Sequence, residues 1–472
     1  MAFYISAKKI TLSVLFLSAF LLRAQQVEFQ MRILKAGLAD PWSVAVDGKN
    51  QLWITESKNY KVSRVDPQSK AFHTVLDLNS QREFPRNDTI KNAKEPWPQG
   101  GLMGLAIHPK FDEGQPYIYL AYVYKFTGNN RFLTRVSRFY YDGDADSLLR
   151  EKVIDESIPG SNDHNGGRLA IMQDEETAYL FYAVGDMGAG QYANAKEINY
   201  AQDSCRKEGK ILRYLLDPER LVEGKENWVP KENPFYGSDP SPVYSVGHRN
   251  PQGLTWGRSE GFSQLYSCEH GPFSDDEVNI ILSGQNYGHP LIVGYADGNY
   301  NGLAAGASEE LDLPGPWHTS LPTIEDEELS AHDLLGYQNP IYSFSATSNS
   351  YLRGKLQKLV LGEREDWKSV APSSLAFYNS NAIPLWKNSL LITTLKAGAI
   401  YRLSLSADGK RVTGNPEKIL VNKLRYRDIA ISRDGRSIFV LTDRSSVTSG
   451  PTEDNPKELQ LRGCLLEFRL QQ

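Results

Sequence analysis

A chain of 472 residues with 40% hydrophobic and 23% charged content can bury a core, as one large β domain or as two to three ordinary domains. Its net charge of -5 is not basic enough for a nucleic-acid surface and not acidic enough for a disordered tail, which argues against nucleic acid as a partner.

The N-terminus carries Lys8 and Lys9, an apolar run over residues 10–22, and Leu22-Arg23-Ala24 before Gln25-Gln26. That order of basic, apolar and small residues predicts a secretory signal peptide over residues 1–24, removed after Ala24, and hence a periplasmic or extracellular protein. The run is shorter than the roughly 20 residues a membrane-spanning helix needs, and no later segment approaches that length, so no stable membrane insertion is expected. Cys205, Cys268 and Cys464 are odd in number, which leaves at least one unpaired or intermolecular in an exported chain.

Beyond the leader, long helical periods are scarce, while short apolar and aromatic runs recur between Gly, Pro, Asn and Asp. Six related strand openings can be read: Pro41-Trp42-Ser43-Val44-Ala45-Val46, Gly101-Leu102-Met103-Gly104-Leu105-Ala106, Gly167-Arg168-Leu169-Ala170-Ile171, Pro251-Gln252-Gly253-Leu254-Thr255-Trp256, Ser373-Ser374-Leu375-Ala376-Phe377 and Tyr426-Arg427-Asp428-Ile429-Ala430-Ile431. Turns and second strands follow most of them, and segments such as Lys61-Val62-Ser63-Arg64-Val65 alternate as half-buried strands do. The pattern predicts an all-β fold: residues 25–472 as a single six-bladed β-propeller of four-stranded antiparallel blades with long inserted loops. Residues 299–342, with Glu325-Asp326-Glu327-Glu328, read as an extended surface excursion whose charges are solvated.

Some motifs invite misreading. Gly257-Arg258-Ser259-Glu260-Gly261 has the spacing of a nucleophile elbow but lies between two strands, and so reads as a turn. Gly185-Asp186-Met187-Gly188-Ala189-Gly190 lacks the strand-loop-helix context of a dinucleotide site. Asp142, Asp144 and Asp146 begin like a calcium loop, yet Ser147 stands where Gly is needed. All three read as structural. The eight His residues are too scattered for a zinc site.

Residues 160–169, Gly-Ser-Asn-Asp-His-Asn-Gly-Gly-Arg-Leu, hold an imidazole beside a carboxylate; alone they are better explained as a surface turn. Later stretches reverse that balance. Gly247-His248-Arg249-Asn250-Pro251-Gln252-Gly253 precedes a blade opening, and Glu269-His270-Gly271-Pro272-Phe273-Ser274-Asp275-Asp276-Glu277 is rich in the hard oxygens that suit calcium. Gly284-Gln285-Asn286-Tyr287-Gly288-His289-Pro290 follows, and Lys396, Arg425 and Arg427 set three cations at blade edges, where they could meet one anionic ligand.

With these motifs the chain resembles the soluble, calcium- and pyrroloquinoline-quinone-dependent glucose dehydrogenases, in order through nearly all of the mature chain. The resemblance implies oxidation of glucose or a related aldose to the lactone, with hydride passing to pyrroloquinoline quinone and electrons leaving to an acceptor of unknown identity. It makes His164 the base, Asp163 its orienting carboxylate, and Arg249 and Asn250 the residues facing the quinone. Gly271 and Pro272 would give carbonyls to calcium. Lys396, Arg425 and Arg427 would hold the cofactor's carboxylates, with Ser369 and His270 as neighbours, and Gln99, Gln191 and Trp367 would line the sugar site. Asp276, Glu277, Tyr287, Tyr295 and Asp297 match a second calcium region near the family's homodimer interface. Departures at Met187, Tyr192, Arg364, His270 and Ser369 put the sugar preference in doubt. Alternatives are a broad-specificity sugar dehydrogenase on the same cofactor, a calcium-dependent lactonase, which would not need the three cations, and a glycan-binding propeller without catalysis.

Overall fold

A computed structural model describes residues 27–91, 95–173, 177–220, 226–237, 239–363, 366–444 and 460–471. The signal-peptide expectation and Arg364 lie outside the described residues. The chain forms six four-stranded antiparallel sheets, and these are the blades of a propeller. Blade 1 comprises Pro41–Val46, Leu52–Glu56, Lys61–Val65 and Phe72–Asp77; blade 2 comprises Leu102–Ile107, Tyr117–Gly128, Arg131–Asp142 and Ser147–Ser161. Blade 3 is built from Leu169–Gln173, Ala178–Val184, Lys210–Leu215 and Val243–Val246, and blade 4 from Pro251–Ser259, Phe262–Glu269, Asp276–Ile280 and Tyr342–Phe344. Blade 5 is Pro372–Tyr378, Ser389–Thr394, Ile400–Leu405 and Val412–Ile419. All six sequence-read openings begin or lead into the first strand of a blade.

Blade 6 draws Tyr426–Ile431, Ser437–Thr442 and Leu465–Leu470 from the end of the chain and its fourth strand, Phe29–Lys35, from the beginning. The pairing runs from Phe29 against Leu470 to Lys35 against Leu465. It closes the ring with main-chain hydrogen bonds between the two ends, leaving no broken blade edge.

The strands form because apolar residues alternate or run continuously where both faces are covered. Ser389–Thr394 is buried at every position between its neighbours, whereas the outer Val412–Ile419 is exposed or half-buried throughout. Large side chains such as Trp53, Tyr60, Tyr182 and Tyr426 fill the space between blades.

The insertion between the last two strands of blade 4 corrects one expectation. Residues 299–342 are not a solvated excursion: Tyr300, Leu303, Ala304, Trp317, Leu321 and Ile324 join Leu352, Leu356 and Leu359 of the helix Asn349–Val360 in a separate apolar cluster. Asp326 caps the helix Glu327–Asp333 by accepting from the Leu329 N–H. Glu327 is fully buried and accepts from the main-chain N–H groups of Val293 and Tyr300, while Glu325 and Glu328 stay in solvent. A block of acids therefore divides by position, not by composition.

The motifs read as turns are turns in two of three cases. Glu260-Gly261 joins two paired strands, and the Asp142 carboxylate accepts from the Asp144 and Ala145 N–H groups. The third, over residues 185–190, belongs to the site described next. All three cysteines are unpaired.

Candidate active site

Strand direction alternates within each blade, so the turn leading into the first strand and the turn joining the second and third fall at the same end. This geometry collects the candidate residues on one face. Gln99, the Asp163-His164 pair, Arg249-Asn250, Ser369 and Arg425 lead into first strands of blades 2 to 6; Asp186, His270-Gly271-Pro272, Lys396 and Asp443 sit between second and third strands of blades 3 to 6.

His164 is 6% exposed and has φ +50°, a left-handed conformation that a non-glycine residue adopts only when its surroundings impose it. Here Gly185 allows the imposition, since a Cβ at that position would overlap the His164 carbonyl. The turned backbone aims the ring away from its sequence neighbour and into blade 3. His164 Nδ1 lies 2.7 Å from Asp186 Oδ1, whereas Asp163 Oδ1 is 3.8 Å from Nε2.

The orienting role expected of Asp163 is therefore corrected: Asp186 orients the ring. Asp163 instead accepts from the His164 N–H at 3.0 Å, from Gln99 Nε2 at 3.1 Å and from Gln191 Nε2 at 3.2 Å. It sets the two glutamines in place. The structural reading of the Asp186 turn was wrong because nothing local in Gly-Asp-Met-Gly announces a histidine 22 residues earlier.

Asp186 is 2% exposed and receives, besides His164, the Gly188 N–H at 2.9 Å, Asn199 Nδ2 at 3.1 Å and His289 Nε2 at 2.8 Å. Burial alone would raise its carboxyl, but the two imidazoles overcome that and hold it well below the carboxylate range. An ionised carboxylate only accepts, so Nδ1 of His164 must carry the proton and Nε2 presents its lone pair. That lone pair meets Gln191 Nε2 at 3.0 Å. The amide's direction is set by Arg249, whose Nη2 donates to Gln191 Oε1 at 2.7 Å. Lys210 anchors the supporting loop through the carbonyls of Tyr200, Ala201 and Glu208, and burial pushes its ammonium down to about 7.

Arg249 is itself held by Glu269, which accepts its main-chain N–H at 2.8 Å, and it donates through Nη1 to the carbonyls of His270 and Gly271 at 3.1 and 3.0 Å. His270 Nε2 lies 3.1 Å from the Pro372 carbonyl; burial first, then Arg249, His164 and Arg427, keep its ring well below the usual imidazole range. Asn250 is 1% exposed, and its Oδ1 has no hydrogen-bond partner among the described residues. Arg425 and Arg427 share Asp443, and Arg427 Nη1 also donates to Gln252 Oε1 at 2.9 Å. Lys396 pairs with Asp366 at 2.7 Å and donates to the Trp367 carbonyl, while the Trp367 ring packs edge-on to Phe273 at 4.9 Å.

A buried imidazole offering a lone pair, an arginine within two hydrogen bonds of it, and three cations near Asp366 and Asp443 suit oxidation of a polyol beside an anionic cofactor. A family model described as Glucose / Sorbosone dehydrogenase matches residues 38–329 and 364–448. The chain belongs to this family. It is 30% identical to quinoprotein glucose dehydrogenase B of Acinetobacter calcoaceticus, over 94% of this chain and 92% of that protein. Identity to aldose sugar dehydrogenase YliI of Escherichia coli (strain K12) is 27%, over 74% of this chain and 76% of that one. The solved structure of PQQ-bound aldose sugar dehydrogenase from Streptomyces coelicolor superposes with a TM-score of 0.60 at 21% identity, covering 94% of this chain and 99% of that one.

The residues matched to a second calcium region do not all gather. Asp276 and Glu277 are adjacent in a strand and face opposite sides of the sheet. Asp276 accepts from Ser369 Oγ and from the N–H groups of Gly271, Val370 and Ala371, with burial pushing its carboxyl up to about 6. Its role is to tie the backbone at Gly271 to the turn leading into blade 5, so Asp276 is corrected from metal ligand to loop tie. The Ser369 hydroxyl is likewise directed at Asp276.

Glu277 accepts from the Gly294 N–H and Asn279 Nδ2; Tyr287 stacks on His248 at 4.6 Å and donates to the Ile280 carbonyl. The Tyr295 carbonyl and the Asp297 carboxylate accept main-chain N–H groups of nearby residues. Among the described residues no three His, Cys, Asp or Glu side chains gather as a metal cluster. Of the departures beside the sugar, Met187 is fully buried in the core, which removes it from the pocket, whereas Tyr192 is 40% exposed.

Proposed function

We propose that the protein is an exported quinoprotein dehydrogenase that oxidises glucose or a related aldose at the anomeric carbon to the lactone. The observation that carries this reading is the His164 Nε2 lone pair, fixed by Asp186 and met by the amide of Gln191. A sugar hydroxyl that displaces this amide can give its proton to Nε2, while Asp163, Gln99 and Gln191 hold the neighbouring hydroxyls. Arg249, released from Gln191, can turn its guanidinium toward charge developing opposite the sugar.

The residues present fit pyrroloquinoline quinone and calcium. Lys396, Arg425 and Arg427 face a tricarboxylate with Asp366 and Asp443 as their paired acids, and the unpartnered Asn250 Oδ1 awaits a donor. The Gly271 carbonyl accepts one hydrogen bond from Arg249 and keeps a second lone pair; with the Pro272 carbonyl it offers the hard oxygens calcium prefers. The quinone, when bound, supplies the electrophilic carbonyl that accepts hydride. The names of the relatives, a quinoprotein and a PQQ-bound enzyme, support the same choice.

Mixing the apo protein with calcium, the quinone, an aldose and an artificial acceptor is expected to reduce the dye, which neither a lactonase nor a glycan-binding propeller does. Calcium and quinone together are expected to raise the melting temperature, because ligands that bind only the native state stabilise it, by about 4 kcal/mol at a thousandfold excess over Kd. Chelation should reverse the rise. An unchanged melting curve at saturation contradicts the cofactor site.

Tyr192 governs selectivity in this reading, since its exposed ring stands one residue after Gln191 at the mouth. Exchanging it for Leu, alone or with Arg364→Tyr, is expected to reorder glucose, disaccharides and pentoses by kcat/KM. Unchanged ratios across the series would remove Tyr192 from the pocket.

A further inference from the structure

His289 has no part in the chemistry described above, yet it touches the carboxylate on which the base depends. It is 5% exposed, its N–H donates to the Gly247 carbonyl at 3.0 Å, and its own carbonyl accepts from Gln202 Nε2 at 2.7 Å. The ring is thereby aimed at Asp186, and Nε2 reaches Oδ2 at 2.8 Å while His164 Nδ1 holds Oδ1. Two buried imidazoles thus share one carboxylate. Since that carboxylate only accepts, His289 must present Nε2–H to it. Asn199 Nδ2 approaches both Asp186 Oδ2 and His289 Nε2 at 3.1 Å and completes the shell on that side.

We propose that His289 is a positioning residue for the base: its Nε2–H holds the second oxygen of Asp186, so that the first oxygen fixes the tautomer, the plane and the proton affinity of His164. The inference rests on the reading of His164 as the base. A carboxylate whose charge is divided between donors at both oxygens pulls less strongly on the Nδ1 proton. With the His289 donor removed, Oδ2 keeps only the longer contact from Asn199 Nδ2 at 3.1 Å, the carboxylate pulls harder through Oδ1, and His164 retains a proton to higher pH. His289 does not titrate in this scheme, for burial keeps its ring neutral against the pull of Asp186. The other charged or titratable groups around the pair are Asp163 and His270 beside His164, and Arg249 and Glu269 beside His289. Arg249 touches Asp186 only through its carbonyl, which accepts the Asp186 N–H at 2.8 Å, and none of the four donates to the carboxylate, so none replaces the lost donor.

The test compares His289→Leu, which has no donor, with His289→Gln, whose amide nitrogen can stand where Nε2 stands. His289→Asn, a methylene shorter, is a second variant that stays polar but cannot reach Asp186. Leu and Asn are expected to move the acid limb of kcat/KM upward by about half to one pH unit, with KM for the sugar at high pH unchanged; Gln is expected to keep the limb in place. In the apo protein the 15N resonances of the His164 ring should shift their titration by the same amount and in the same order. Coincident limbs and coincident ring titrations for all three variants overturn the proposal, as does a Gln variant that behaves like Leu. A ring titration that moves in a protein unable to oxidise any aldose would sink the assigned reaction and leave the positioning role standing.

Discussion

His164→Gln is expected to lower kcat by about 10²–10⁴ while the reconstituted enzyme keeps a normal cofactor spectrum and affinity. The separation follows from which side chains the substitution touches. His164 contacts Asp186, Gln191 and Asp163, whereas the cations suited to a tricarboxylate, Lys396, Arg425 and Arg427, are held by Asp366, Asp443 and Gln252. Glutamine fills much of the ring's space and sets its amide where Nε2 stands, beside Gln191, so the fold and the sugar contacts persist without a basic nitrogen. Arg249→Ala gives a contrasting pattern. It frees Gln191 and the carbonyls of His270 and Gly271 together, so about 10²–10³ should be lost from kcat with a perturbed spectrum and a raised KM. Near-native kcat in a spectrally normal His164→Gln enzyme would place the base elsewhere and return residues 160–169 to the status of a turn.

The architecture was legible because each blade writes its own local signal. The first strands, opening at Pro41, Leu102, Leu169, Pro251, Pro372 and Tyr426, each start on a buried residue within a short apolar run. The ring closure was not legible. Phe29–Lys35 finds its partner more than 400 residues away, and its apolar period is weak because Met31 and Ile33 remain partly exposed. Nor did composition reveal that the acidic insertion buries Glu327, since that carboxylate is satisfied by N–H groups of Val293 and Tyr300, which only the fold brings near.

At the site, residue types were readable and pairings were not. Adjacency suggested that Asp163 serves His164, but the left-handed backbone of His164 itself, allowed by Gly185, hands the ring to Asp186 instead. Adjacency likewise joined Asp276 to Glu277, although a strand sends them to opposite faces. Arg249, Gln191 and Gln99 join one hydrogen-bonded chain through Asp163 because each lies at a turn that strand alternation brings to one face. His289 lay in the stretch from Gly284 to Pro290, but nothing there pointed to Asp186, and Asn199 was a lone polar residue in a loop.

Arg168→Met is expected to cost about 3–5 kcal/mol in denaturant unfolding, because it leaves the Asp428 carboxylate buried without its cation. Arg168 belongs to blade 3 but acts at the centre of the ring. Its guanidinium pairs with Asp428 of blade 6 at 2.8 Å and donates to Ser43 Oγ of blade 1 at 3.1 Å. It also reaches the carbonyls of Gln252 in blade 4 at 3.0 Å and Ser373 in blade 5 at 3.2 Å, and it lies over the Trp42 ring at 4.2 Å. Both partners of the ion pair are almost fully buried, at 4% and 3% side-chain exposure, so water cannot replace the lost contacts. The Val44 N–H at 2.7 Å would be the remaining strong donor to Asp428. Arg168→Met combined with Asp428→Leu should therefore unfold at a higher denaturant concentration than Arg168→Met alone, since an apolar pair strands no charge. A single variant no less stable than an exposed control such as Lys49→Met would mean that the axis is held by the apolar contacts between blades, with the buried pair contributing nothing.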